Sequence, residues 1–149
     1  MHIKKALPPT YLLTSISLMV FLHYLLPIAE IIPYPWQLSG AVPLCIGIIF
    51  NLMADQALKK FNTTVKPFEE SDSLVTTGIY GVSRHPMYIG MILMLLGIAI
   101  YLGSLTPFFV IPMFAFLINK KFITVEEQML EKRFGKNWSE YKAKVRRWI

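Results

Sequence analysis

Residues 86–119 read PMYIGMILMLLGIAIYLGSLTPFFVIPMFAFLIN, 34 consecutive positions without a formal charge. A helix crosses the hydrocarbon core of a bilayer in about 20 residues, so this stretch is too long for one crossing. Its midpoint is Leu102-Gly103-Ser104-Leu105-Thr106-Pro107. Glycine and serine followed by a proline suited to a helix start have the composition of a tight turn. The stretch therefore predicts two short spans folded back on each other, Pro86–Leu102 and Pro107–Ile123. Two further uncharged stretches of 24 residues, Ala6–Ala29 and Ile31–Ala54, each fit one span. Four spans are expected, near Pro9–Ile32, Gln37–Leu58, Pro86–Leu102 and Pro107–Ile123: an all-α integral membrane protein whose last two spans form a helical hairpin.

Composition agrees with that class. The chain has 149 residues, 54% hydrophobic and only 16% charged, against about a quarter charged in soluble domains. Its length suits one domain, 1–149. The single cysteine, Cys45, excludes a disulfide framework and any multi-thiolate metal site. His2 and His23 are isolated, so no metal site is expected. The first apolar segment follows Lys4 and Lys5 but outruns a typical signal-peptide core and lacks a small-x-small cleavage site. It reads as a retained span.

The 15 basic residues are partitioned without exception. Two lie in the N-terminal tail, four between spans two and three (Lys59, Lys60, Lys66, Arg84), and nine from Lys120 to the C-terminus. Basic residues stay on the cytoplasmic side, so both termini and the Lys59–His85 loop are expected there. The net charge of +6 belongs to this orientation, and no nucleic-acid partner is expected. Gly40, Gly47 and Ala54 mark one small-residue stripe, and Gly90, Gly97 and Ser104 another, as helices packed closely in lipid require. Pro27 and Pro43 are expected to kink their spans.

Chemistry must come from the cytoplasmic segments. The loop runs Phe61-Asn62-Thr63-Thr64-Val65-Lys66-Pro67, then Glu69, Glu70 and Asp72, then Leu74-Val75-Thr76-Thr77-Gly78-Ile79-Tyr80, and ends in Ser83-Arg84-His85-Pro86-Met87-Tyr88. A helix N-terminus carries free N–H groups and partial positive charge, and Arg84 adds a full charge, so the start of span three suits a carboxylate. Tyr80 and Tyr88 offer aromatic faces to a base or cation. After span four, Thr124 to Phe134 reads as helix stopped by Gly135, with the paired carboxylates Glu126 and Glu127 able to hold a cation. Asn137 and Glu140 have capping-box spacing. Trp138, Tyr141, Val145 and Trp148 lie along one face among basic residues, the pattern of a C-terminal amphipathic interfacial helix. Taken singly, each feature also has a structural reading: Arg84 as a topology anchor, Glu126 and Glu127 as a solvated helix start, the tyrosines as interface aromatics.

Together, Leu74 to Tyr80, Arg84-His85-Pro86-Met87-Tyr88 with Gly90, Glu126-Glu127, and Phe134-Gly135 leading to Tyr141 and Val145-Arg146-Arg147-Trp148 resemble the isoprenylcysteine carboxyl methyltransferase and phospholipid methyltransferase superfamily. The resemblance runs from about Phe61 to the C-terminus. It implies methyl transfer from S-adenosyl-L-methionine to a lipophilic small-molecule acceptor entering from the bilayer, most simply an isoprenylcysteine-type carboxylate. Carried over residue by residue, it implies cofactor contacts at Lys66, Asp72, Ser73, Leu74, Val75, Tyr80, His85, Pro86, Met87, Tyr88 and Glu126. The catalytic candidates beside them are Arg84, expected to orient an anionic acceptor, and Glu127, expected either to be structural or to assist the acceptor. Lys66 stands where the prenylcysteine enzymes have glutamine, and Phe122 where they have a substrate-binding arginine. A lipid amine or small-thiol acceptor and a non-catalytic membrane scaffold are the alternatives. A transporter is disfavoured, because only His23 is ionisable deep within a span.

Overall fold

The computed structural model describes residues 6–64, 66 and 68–149; Lys4, Lys5, His2, Val65 and Pro67 of the sequence reading lie outside them. Six α-helical segments follow in order: α1 (Pro8–Leu25), α2 (Ala41–Lys60), α3 (Pro86–Leu102), α4 (Val110–Ile118), α5 (Thr124–Phe134) and α6 (Lys136–Lys144). Among the described residues there is no β-strand, only an isolated bridge between Glu30 and Ser104. One 3-10 turn, Thr106–Phe109, leads into α4, and a π-turn, Asn119–Ile123, joins α4 to α5. Two helical stretches are long and apolar enough to cross a membrane, Trp36–Lys60 and Thr106–Phe134; Pro86–Leu102 is apolar and shorter.

The local chemistry explains these boundaries. Pro86 occupies the first turn of α3, where its missing N–H has no helical partner to lose. At the other end Gly103 takes φ 76°, the left-handed conformation that stops the helix, and its carbonyl accepts the N–H groups of Ile31 and Ile32. The turn expected at Leu102–Pro107 thus also anchors the Pro27–Gly40 connection, with Leu105 N–H donating to the Ala29 carbonyl. His23 Nδ1 lies 2.8 Å from the buried Ser104 hydroxyl, tying α1 to the same corner.

Two prolines act differently from expectation. Pro27 ends α1 rather than kinking it: Leu26 before it has left the helical region at φ −134°, ψ 58°, as the residue preceding a proline tends to do. Pro43 falls in the first turn of α2, preceded by the 3-10 turn Trp36–Gly40, where no helical hydrogen bond is interrupted.

The two glycine stripes face each other. A β-carbon on Gly47 would collide with the Gly90 carbonyl, and one on Gly40 or Gly97 with the other's carbonyl oxygen. α2 and α3 therefore approach backbone to backbone, which in lipid replaces the missing hydrophobic drive with dispersion contact. A second core joins α1, α3 and α4 through Met19, Leu95, Ala99, Phe114 and Ile118, all fully buried. The outer faces of α1 and α2 remain apolar and exposed, among them Leu13, Phe21, Ile49 and Leu52.

Gly47→Ala should lower thermal stability in detergent by about 1–3 kcal/mol, the usual cost of overpacking. Gly81→Ala, whose added carbon meets nothing nearer than the Thr76 carbonyl at 3.5 Å, should leave the melting temperature nearly unchanged. Equal melting temperatures for both variants would contradict the close contact.

Candidate active site

At the end of the bundle opposite Gly103, the 61–85 loop, the start of α3, α5 and α6 enclose a cavity of about 550 Å³, within the roughly 300–1,000 Å³ common for small-molecule sites. Its wall includes Lys66, Ser73, Leu74, Val75, Tyr80, Arg84, His85, Pro86, Met87, Tyr88 and Glu126, together with Met129, Leu130, Trp138 and Tyr141. Two expected site residues stand elsewhere. Asp72 is exposed outside the wall, and Glu127 is buried behind it.

Adjacent positions on a helix diverge by about 100°, and this separates the paired glutamates. Glu126 turns to the cavity, where its Oε1 accepts the Tyr88 hydroxyl at 2.6 Å and its Oε2 lies 3.5 Å from His85 Nδ1. Glu127 turns inward. Its Oε1 meets His85 Nε2 at 3.2 Å, Arg84 Nη2 at 3.3 Å and Arg147 Nε at 3.2 Å, while its Oε2 accepts a short bond from Arg147 Nη2. His85 thus bridges both carboxylates. Burial disfavours its charged form, but the hydrogen bonds to Glu126 and Glu127 outweigh this and hold its pKa above the ordinary value.

The backbone around His85 is fixed by the chain's last residues. Arg84 N–H donates to the Arg146 carbonyl at 3.1 Å, and the Ser83 hydroxyl to the Arg147 carbonyl at 3.1 Å and accepts from His85 N–H. Trp148 packs against the apolar core. The last helix also differs from expectation. Trp138 and Tyr141 are buried against protein instead of lying on a lipid surface. The Arg84 guanidinium stacks 5.6 Å from the Trp138 ring centre, and the Tyr141 hydroxyl donates to the Tyr80 carbonyl at 2.6 Å. No capping box forms at Asn137, because the helix begins at Lys136, which puts Asn137 inside its first turn, and Gly135, at φ 50°, occupies the cap. Arg147, Trp138 and Tyr141 are site residues that the sequence reading missed, although two of them lay on the apolar face it had marked.

Phe122, buried in the π-turn, packs its ring against Tyr11 at 5.3 Å and Phe68 at 5.5 Å. No cluster of three or more metal-binding side chains occurs among the described residues.

An all-helical bundle with long apolar helices and a polar-edged cavity at one end fits a membrane-associated protein with room for a small molecule. The phospholipid methyltransferase family model matches residues 36–137, and the chain belongs to this family. It is 32% identical over 112 residues to a protein-S-isoprenylcysteine O-methyltransferase of Schizosaccharomyces pombe, covering 74% of this chain and 48% of that protein. It is 32% identical over 152 residues to protein-S-isoprenylcysteine O-methyltransferase B of Arabidopsis thaliana, covering 89% and 76%. A Saccharomyces cerevisiae protein of the same name is 40% identical over 89 residues, covering 57% and 36%. The chain thus spans about half the length of its fission-yeast relative. No solved structure matches it.

The raised His85 pKa gives stability a defined pH dependence. The stabilisation from charged His85 is complete below its unfolded value of about 6.5 and is lost as pH rises through the higher folded value. The difference in melting temperature between the parent and His85→Gln should therefore be largest below about pH 6.5 and shrink as the pH is raised above it. A difference independent of pH would show that His85 is neutral between its glutamates.

Proposed function

We propose that the chain is one membrane methyltransferase domain, residues 1–149, with its cofactor half from about residue 61, and that the cavity takes S-adenosyl-L-methionine. The observation that carries this is Glu126, a carboxylate at the cavity wall oriented by Tyr88 and His85, in a chain of the phospholipid methyltransferase family. The wall fits the group. Glu126 suits the α-ammonium, Leu74, Val75, Met87 and Leu130 offer apolar cover, and the α3 N-terminus with His85 and Pro86 suits a carboxylate or adenosine end. Lys66 and Ser73 border the same space, whereas exposed Asp72 lies outside it.

When bound, the cofactor supplies a methyl group on a sulfonium, which passes to an acceptor oxygen and leaves a neutral thioether. The protein's part is alignment and exclusion of water. Tyr80 and Tyr141 hold the loop against α6, and Met87 and Met129 keep the wall apolar. The acceptor is lipophilic and enters from the bilayer, most simply an isoprenylcysteine-type carboxylate oriented by Arg84. A carboxylate is ionised at neutral pH and needs no base. Glu127 supports Arg84 and His85 from behind. A lipid amine or small thiol is the second reading, because Phe122, buried against Tyr11 and Phe68, stands where the prenylcysteine enzymes have a substrate-binding arginine.

The domain spans the membrane four times, through α1, α2, α3 and the stretch from Pro107 through α4 to Ile123, with both termini and the cavity cytoplasmic. The partition of basic residues and the placement of all the described ones at the cavity end or beyond support this. With Cys45 replaced by serine, Tyr34→Cys and Lys136→Cys, both at exposed positions, should label from opposite sides of an oriented membrane. Same-side labelling would refute the arrangement.

Glu126→Gln keeps the shape and removes the charge. Charge-assisted hydrogen bonds are worth about 1.5–3 kcal/mol, so affinity for labelled S-adenosyl-L-methionine should fall roughly ten- to a hundredfold. Lys66→Ala should cost less. Unchanged binding by Glu126→Gln would place the cofactor elsewhere.

A further inference from the structure

Three basic side chains, Arg84, His85 and Arg147, meet the single carboxylate of Glu127, and they do not share it equally. Arg147 holds it as a fork, through Nε to one oxygen and Nη2 to the other, and fastens its own Nη1 to Asn119 Oδ1 at 3.3 Å. Arg84 has one end-on contact, Nη2 at 3.3 Å, although its side chain is only 7% exposed. Its Nε and Nη1 are buried and have no hydrogen-bond acceptor among the described residues. A buried guanidinium with two unused donors is costly unless something else completes it. Arg84 also borders the cavity.

We propose that Arg147 is a positioning residue: by occupying Glu127 as a fork it leaves Arg84 incompletely paired, and so able to take the anionic group of the acceptor. This rests on the acceptor reading above and assigns the C-terminal strap a part in acceptor recognition. Without the Arg147 fork, Glu127 Oε2 is free and Oε1 is shared only with His85 and Arg84, so the carboxylate can close on Arg84 and satisfy donors that an anion would otherwise use. The strap's backbone bonds to Ser83 and Arg84 keep Arg84 in place while its charge remains available.

The test uses the whole protein in detergent micelles, with S-farnesylcysteine and its methyl ester as probes and tryptophan fluorescence as the readout. The parent should bind the free acid about tenfold or more tightly than the ester, the value of one charge-assisted contact. Arg147→Gln should reduce that preference to about twofold or less, with Arg147→Lys between the two. Adding Glu127→Gln to Arg147→Gln removes the competing carboxylate and should restore the preference for the acid. The preference is a ratio taken within each variant, so a merely structural loss, which weakens acid and ester alike, would leave it unchanged. Three results overturn the proposal: no acid preference in the parent, full preference retained in Arg147→Gln, or no recovery in the double variant. Failure of the parent to bind S-adenosyl-L-methionine would end the methyltransferase reading instead, while the acid-over-ester comparison still decides the role of Arg147.

Discussion

The site end of the molecule depends on one buried carboxylate. Glu127 gathers Arg84 and His85 from the start of α3 and Arg147 from the C-terminal strap. Any of these charges alone would be costly to bury, and removing one partner from such a group typically destabilises by about 3–5 kcal/mol. The three segments are distant in sequence, so this ion cluster, more than apolar contact, sets their mutual geometry. The Glu127 side chain is 8% exposed, which keeps solvent from screening the contacts.

The rest of the bundle supplies rigidity of another kind. Glycine packing brings α2 and α3 together until backbone meets backbone, and the corner at Gly103 and Ser104 ties the far end through hydrogen bonds. Neither device uses net charge, as suits helices whose outer faces are apolar. Polar chemistry is thereby concentrated at one end, where α5, α6 and the 61–85 loop close over the cavity.

Helix positions were legible because hydrophobic length, proline at the first turn and glycine at the stop are local signals. Pro86–Leu102 was read to the residue for that reason. The endings at Pro27 and the start at Gly135 were not, because one proline can either kink or terminate a helix, and a capping-box spacing does not say which residue caps. The motif around Arg84 to Tyr88 led to most of the cavity wall, since consecutive residues at a helix start must share a neighbourhood. The different environments of Glu126 and Glu127 were out of reach: the pair looks equivalent until the partners' positions are known. Arg147 was hidden in a run of basic residues, where nothing local separates a solvated charge from one folded back onto a glutamate.

The π-turn at Asn119–Ile123 determines which glutamate sees the cavity. A π-turn holds one more residue than the α-turn it replaces, so everything after it falls behind an uninterrupted α-helix by about 100° without breaking the rod. Residues upstream answer to the packing of α1 and α3, and those downstream to the cavity. The inserted residue lets one continuous helix serve two incompatible angular registers, and it works as a phase shifter between the apolar shaft and its chemically active end.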